Sequence, residues 1–387
     1  MTEYKRLGDY IREVNVRNRE LKVTKPMGIN IDKYFMPSVA NVIGTDLSVY
    51  KLVSKMQFAC NLMHVGRDEK IPMAMHVEDN PIIVSPAYFV FEVVEPNALL
   101  PEYLMMWFRR PEFDRNAWFY TDADVRGGLD KNALLDMRLP IPSITRQREI
   151  VSEYETLTNR IRLNNQMIQH LEATAQALYR KTFVDNIDKE NLPEGWRMGT
   201  IGDLCKISSS KRIFESEYCN EGVPFYRGKE ITQKRNGERI SDLIFISKSR
   251  YQELVQKYGK PKYGDILLTA VGTIGNSYFV EDEEFYFKDG NIVWLHDFST
   301  NGANAYIYEY MQSEIFKNII TEIAIGSTQK AITIQSLLEI KILIPNKGSI
   351  MEYGQITTTL YKNIQNKRLE NSKLTELQSL LLAKMGQ

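Results

Sequence analysis

From Arg146 to Phe183 the chain holds neither proline nor glycine, and its apolar positions keep a regular beat. Tyr154, Leu157, Ile161, Ile168, Leu171, Ala175 and Leu178 are separated by steps of three and four, with Asn164 filling one polar step. That alternation is a heptad seam, so the segment reads as a long helix that pairs with another. The pattern returns near the C-terminus at Thr357, Leu360, Ile364, Lys367, Asn371, Leu374, Gln378 and Leu381. This second seam is more polar, but Leu377, Leu380 and Leu382 are expected to widen its apolar face. Polar seam positions weaken a helix pair yet fix its register. About thirty-five residues at ~1.5 Å each predict rods of ~50 Å. Isolated helices of such composition are marginal in water, so the two rods are expected to pack on each other, with His170 solvated beside the seam.

Outside the rods the periodicity changes. Ile82-Ile83-Val84 and Tyr88–Val94 are β-branched and aromatic runs bounded by Pro81, Pro86 and Pro96, which reads as strands. Pro101–Arg110 places Leu104, Trp107 and Phe108 at helical spacing, and Pro111 ends or kinks that helix. Asn291–His296 and Ala305–Ile320 play the same strand and helix later in the chain. Met137–Ile141 and Ile340–Ile344 are short apolar stretches, each closed by a proline, and read as the last strand of each module. The polar segment Asp185–Trp196 carries the turn signal Pro193-Glu194-Gly195 and reads as a linker. The predicted architecture is α+β: a module at 1–146, a rod at 147–185, a second module at 186–348 and a second rod at 349–387. If the rods pack antiparallel, chain order and the short linker send the modules to opposite ends, related by an approximate twofold.

The two halves are copies. LLDMRLPIP at Leu134–Pro142 returns as LLEIKILIP at Leu337–Pro345, and the same shift of 203 carries Phe91 onto Trp294, Phe113 onto Phe316 and Ile161 onto Ile364. Leu7-Gly8-Asp9 matches Ile201-Gly202-Asp203 at a shift of 194, so the second copy is about nine residues longer inside. Units of this size are domains rather than solenoid repeats of ~20–50 residues.

Composition narrows the setting. No apolar run approaches the ~18 residues of a membrane span. The N-terminus is polar from the start, which argues against a secretory signal. Cys60, Cys205 and Cys219 form no close-spaced pair, so a reducing cytoplasm is expected. With 49 basic and 49 acidic residues the chain is neutral. A neutral nucleic-acid binder must gather its cations on one face or borrow charge from a partner, because phosphate contacts supply much of the affinity.

Catalytic motifs are absent. There is no Pro-Asp dipeptide to open a nuclease constellation, and Glu339-Ile340-Lys341 answers to Asp136-Met137-Arg138, the charged edge of a strand. Gly272-Thr-Ile-Gly275 lacks dinucleotide spacing and reads as a tight turn, while Gly228-Lys229 is followed by glutamate, not by the Ser or Thr of a P-loop. The four histidines have no ligand spacing, so no metal is expected. What recurs is basic and polar residues around glycine-rich turns. In the second module these are Lys211, Arg212, Tyr226, Arg227, Lys229, Lys234, Arg235, Thr273, Ser327, Gln329 and Lys330; in the first, Arg12, Arg17, Arg19, Arg67 and Arg126. Such side chains on loops reach phosphates and base edges. They are equally compatible with a solvated surface in which Glu215, Glu217, Glu221 and Glu230 are interspersed.

The order of LPEGWRMGTIGDL (Leu192–Leu204), GVPFYRGKEI (Gly222–Ile231), KYGDILLTAVGTIGN (Lys262–Asn276) and GSTQKAITIQSLLEIKILIP (Gly326–Pro345), with the duplicated seams, resembles the specificity subunit of type I restriction-modification enzymes. YKRLGDYI (Tyr4–Ile11) and LLDMRLPIPSITRQREIV (Leu134–Val151) carry a looser match in the first half. FACNLMHVGRDEKIPMA (Phe58–Ala74) departs from it. The resemblance implies two target-recognition domains on antiparallel helices, each reading one half of a bipartite site in double-stranded DNA. It implies two docked methyltransferase (modification) subunits, joined by motor and nuclease subunits for restriction. S-adenosylmethionine, Mg and ATP would then belong to those partners, leaving this chain without a cofactor and non-catalytic. The alternatives are an adaptor with two protein-docking modules, and the specificity subunit of a related type II methyltransferase-nuclease.

Overall fold

The computed structural model describes residues 4–39, 44–63, 65–121, 127–185, 187–238, 240, 242–326 and 330–386. The chain divides into two compact units, Met1–Ile161 with Lys373–Gln387, and Arg162–Ser372. Each unit takes one head and parts of both long helices, Ile144–Phe183 and Lys347–Lys384. No helix of the described residues is long and apolar enough to cross a membrane.

In the first unit, strands Ile11–Glu13, Phe89–Val93, Phe58–Cys60 and Met73–Met75 form an antiparallel sheet in that order. A second sheet runs Phe35–Pro37, Pro26–Ile29, Ile82–Val84, Lys51–Val53, with one parallel pair between Pro26–Ile29 and Ile82–Val84. Tyr4–Arg6 pairs with Arg138–Pro140. The helix Pro101–Phe108 stops before Pro111, which opens a second helix, Pro111–Phe119. Proline fits that first turn because its missing N–H has no intrahelical partner there. Phe58, Phe91, Leu104, Phe108 and Phe113 fill the core. Gln147 anchors the long helix to the head: its fully buried amide donates to the carbonyls of Ala98 and Pro142, both at 2.9 Å, and accepts from Leu100 N at 2.8 Å.

The second unit repeats this frame. Its antiparallel sheet runs Lys206–Ser208, Ile292–His296, Ile266–Thr269, Ser277–Phe279. Trp294 stands opposite Leu267 as Phe91 stands opposite Phe58. Tyr306 donates to Leu343 O at 2.5 Å, and its counterpart Tyr103 donates to Pro140 O at 3.1 Å. Ile201 N bonds Ile340 O at 3.0 Å, as Leu7 N bonds Met137 O at 2.8 Å. The expected helix over 305–320 is instead two, Ala303–Gln312 and Glu314–Ile323. Ser313 breaks it, because its extended backbone lets its hydroxyl cap the second helix through Phe316 N.

The copies differ at their rims. Both hold a three-strand core, Phe35–Pro37, Pro26–Ile29, Ile82–Val84 in one and Ile244–Ile246, Val223–Tyr226, Tyr286–Phe287 in the other. The fourth strand joins opposite edges: Lys51–Val53 pairs with Ile82–Val84, whereas Tyr218–Cys219 pairs with Ile244–Ile246. The second unit also inserts helices Gly228–Asn236 and Lys248–Tyr258 on either side of strand Ile244–Ile246.

The long helices are antiparallel within each unit. In the second, Asn371 meets Asn164 at 2.9 Å and Asn165 at 2.7 Å, Arg368 reaches Glu172, and Tyr353 reaches the carbonyl of Ala175, so one numbering rises as the other falls. In the first, Gln378 donates to Thr158 at 2.7 Å, and Leu382 and Met385 lie in one core with Val151 and Tyr154. Tyr154, Asn164, Ile168, Ala175, Thr357 and Ile364 are buried, while Leu157, Ile161, Leu171, Leu178, Leu360, Lys367, Asn371, Leu374, Gln378 and Leu381 are half-buried. Each fully buried apolar seam side chain stabilises by ~1.5–3 kcal/mol. Leu377 and Leu380, expected to widen the packed face, are about half exposed, because they fall outside the seam; Leu382 is buried. His170 is exposed. Gly354 permits a close approach of helix to head: a Cβ there would lie 2.4 Å from Gly302 Cα.

Candidate nucleic-acid interface

Two glycine-rich segments meet in the second unit. Gly272 and Gly275 take φ of +80° and +88°, closing a turn in which Gly275 N bonds Thr269 O at 2.9 Å and the Thr269 hydroxyl donates to Thr273 O. Glycine suits these left-handed positions because it lacks a Cβ. Ile325 and Ala331 exchange backbone bonds at 2.9 and 2.8 Å, and Ala331 bridges to Val271. Thr273 and Lys330 are both exposed. Ser327 and Gln329, also expected at this site, lie outside the described residues. The first unit repeats the device: Thr121 bridges to Leu129, Leu129 N bonds Leu62 O at 2.9 Å, and Gly66 N bonds Gly127 O at 2.8 Å. Arg126 also lies outside the described residues.

The helix Gly228–Asn236 presents most of the remaining candidates. Arg227 and Glu230 close its N-terminus, with guanidinium bonds to the carboxylate at 2.6 and 3.1 Å and Arg227 N to the same group at 2.8 Å. Burial pulls the Glu230 carboxyl upward, but the Arg227 bonds outweigh it and hold the group below its ordinary range. Arg227 is correspondingly raised, first by its bond to Glu230. Lys229 is exposed and pairs with Asp242 at 3.4 Å. Lys234 is mostly covered, 2.9 Å from Glu283 and over the Tyr278 ring. Arg235 is half-buried and bonds the amide oxygens of Asn276 at 2.7 Å and Gln312 at 3.0 Å.

Tyr226 is a correction to the expected surface site. It is 5% exposed, stacked on Phe285 at 4.6 Å, and donates to Glu283 at 2.9 Å. Burial first, and the Glu283 charge second, push its hydroxyl well above the ordinary phenol range. It closes strand Val223–Tyr226, which is covered on both faces: Phe225 points into one apolar cluster and Tyr226 into another. Lys211 is exposed and lies over the Tyr258 ring, and Arg212 pairs with Asp289 at 3.4 Å.

The first unit's candidates are more dispersed. Arg12 sits on the outer strand Ile11–Glu13 and pairs with Glu92 at 2.5 Å. Arg17 donates to Val49 O, Arg19 is exposed, and Arg67 is held by the adjacent Asp68 at 2.7 Å. Sequence reading missed Gln312 and Asn276, the two amides that orient Arg235; only their proximity in the fold marks them. Among the described residues no cluster of histidine, cysteine or carboxylate groups could hold a metal ion.

Residues 193–379 match the family model described as the Type I restriction modification DNA specificity domain. A protein of Haemophilus influenzae, named provisionally as a type I restriction enzyme specificity subunit, is 31% identical over 57% of this chain and 54% of its own length. The chain thus spans about half of that relative. The type I restriction enzyme MjaIX specificity subunit of Methanocaldococcus jannaschii is 21% identical over 76% of this chain and 70% of its own length. In fold, the chain is similar to the crystal structure of the type I restriction-modification system S subunit from M. genitalium. The TM-score is 0.60 at 14% identity, over 100% of this chain and 96% of that one. With two copies of one α+β frame, a paired heptad seam and these matches, the chain is similar in sequence and fold to specificity subunits of type I restriction-modification enzymes, and its residues 193–379 match their DNA specificity domain.

Proposed function

We propose that this chain is the DNA-reading, non-catalytic subunit of a type I restriction-modification complex. Each head reads one half of a gapped duplex site, and the paired helices set the gap. Two modification subunits dock along those helices and carry S-adenosylmethionine and the methyl-transfer chemistry, while motor and nuclease subunits bring ATP and Mg. The observation that carries this reading is one frame with two different rims. The bridge pairing Thr121 with Leu129 recurs as Ile325 with Ala331, while the fourth strand changes edge and two helices are inserted in one copy only. A constant frame with variable rims suits a pair of readers for unlike sequences. Exposed apolar side chains off the seam, such as Leu163, Met167 and Leu369, supply surface for protein partners.

Exchange of residues 1–146 for the module of another family member tests it. Methylome sequencing is expected to show one half-site altered and the other kept; alteration of both refutes modular reading. A second reading, the protein adaptor, draws on the internal neutralisation of Arg12, Arg67, Arg227 and Lys234 by carboxylates. Alanine at Arg227, Lys229 and Lys330 separates the two. A DNA reader loses ~1–3 kcal/mol for each specific contact, and an adaptor is indifferent.

A further inference from the structure

Arg235 differs from most described arginines of the second unit; Arg162, which also bonds an amide (Gln166), is exposed. Arg212, Arg227, Arg250 and Arg368 each face a carboxylate. The bonds of Arg235 go to two neutral amides, Asn276 and Gln312. Its charge is therefore oriented but not cancelled. A guanidinium has five N–H donors, and those two bonds leave donors to spare. A half-buried cation without a counterion is unfavourable unless an anion completes it.

That guanidinium lines a cleft of about 540 Å³, within the ~300–1,000 Å³ of ordinary ligand sites. Lys317 and Lys330 line it too, together with the turn Gly272, Ile274, Gly275 and Asn276, and none of its described lining residues is acidic. Lys317 pairs with Glu314 at 2.6 Å, both largely exposed; such a surface pair is weak and exchanges readily. The floor is apolar, with Phe316 and Ile320 buried beneath. A Cβ on Gly275 would come within 3.3 Å of Ile320, so the turn packs directly on that floor. Three cations around an apolar floor strengthen any anion contact, because the surroundings screen it poorly.

We infer that this cleft seats a backbone phosphodiester of duplex DNA, with Arg235 as the fixed positive group and Lys317 and Lys330 as the mobile ones. The inference rests on the DNA-reading function proposed above and adds the place and chemistry of one contact. A phosphate contact positions the head without reading sequence, so it holds for any duplex.

The test uses the full chain assembled with its modification subunits and a random-sequence duplex, with affinity measured across a salt series. The slope of log affinity against log salt falls by about 0.9 for each phosphate contact removed. The triple variant Arg235→Gln, Lys317→Gln, Lys330→Gln is expected to lower the slope by about 0.9, the share of one phosphate, and each single substitution by a part of that. The two lysines are exposed, so their substitution leaves folding intact. Arg250→Gln, whose charge is already neutralised by Glu217 and Glu253, is expected to leave the slope unchanged. Wild-type binding with the slope unaltered in the triple variant overturns the inference and leaves the DNA-reading function standing. Absence of salt-dependent binding by the wild-type complex overturns both.

Discussion

Glu309 makes the stability of the second unit depend on pH. It lies on helix Ala303–Gln312, is 3% exposed, and accepts a 2.5 Å bond from the Tyr361 hydroxyl. Burial raises its carboxyl from 4.5 to about 7; the Tyr361 bond opposes the rise and the Glu172 charge adds to it. The folded chain thus holds a proton that the unfolded chain releases near 4.5. This contribution is fully present below pH 4.5, is lost as pH rises to about 7, and is absent above that. At ~1.4 kcal/mol for each tenfold change in proton affinity, the loss is about 3 kcal/mol. Glu309→Gln keeps an acceptor for Tyr361 and removes the titration. Urea midpoints followed by circular dichroism at about pH 5 and about pH 8 would compare the two proteins. Other groups titrate alike in both, so the expected result is a wild type that weakens more than the variant by roughly that amount. Parallel stability–pH curves for wild type and variant would refute the reasoning.

Three further substitutions probe the packing. Gly354→Ala drives a methyl into the backbone at Gly302, and a loss of about 1–3 kcal/mol is expected in thermal melting; Gly348→Ala, whose nearest neighbour is at 3.5 Å, should be tolerated. Lys33, 4% exposed, pairs with Asp114 at 2.7 Å. Asp114→Asn should weaken the first unit by about 3–5 kcal/mol, whereas Lys33→Met with Asp114→Leu should recover much of it; a double variant no better than the single in urea titration refutes this. Tyr103→Phe and Tyr306→Phe each remove one equivalent bond, and losses of about 1 kcal/mol apiece are expected. Opposite signs in denaturant titration would argue against equivalent roles for the two copies.

Much of the frame was legible in the chain because short-range rules generate it. The heptad spacing of Tyr154 to Leu178 marked a helix with one covered face, since 3.6 residues per turn leaves no other way to bury those side chains together. The β-branched run Ile82–Val84, and prolines such as Pro111, marked strand and helix limits because backbone sterics are local. The recurrence of LLDMRLPIP as LLEIKILIP announced that whatever one half formed the other would repeat. The break at Ser313 was hidden, because serine is compatible with a helix interior until its hydroxyl finds a backbone N–H to cap. The site was less legible than the frame. Tyr226 and Lys229 look alike as surface candidates in the sequence, yet one strand position turns Tyr226 into the core and leaves Lys229 in water.

The amino-acid sequence by itself determined the main strands, the two long helices and the seam each of them covers, because these follow from neighbours a few residues apart, and recurring segments disclosed the duplication. Only the tertiary structure decided which cations carry uncancelled charge. Arg227 and Arg235 are equally basic on paper. Glu230, three residues away, neutralises the first. Two amides, 41 and 77 residues distant in the chain, hold the second without neutralising it. Electrostatic pairing depends on distance in space, and that distance exists only once the chain has folded.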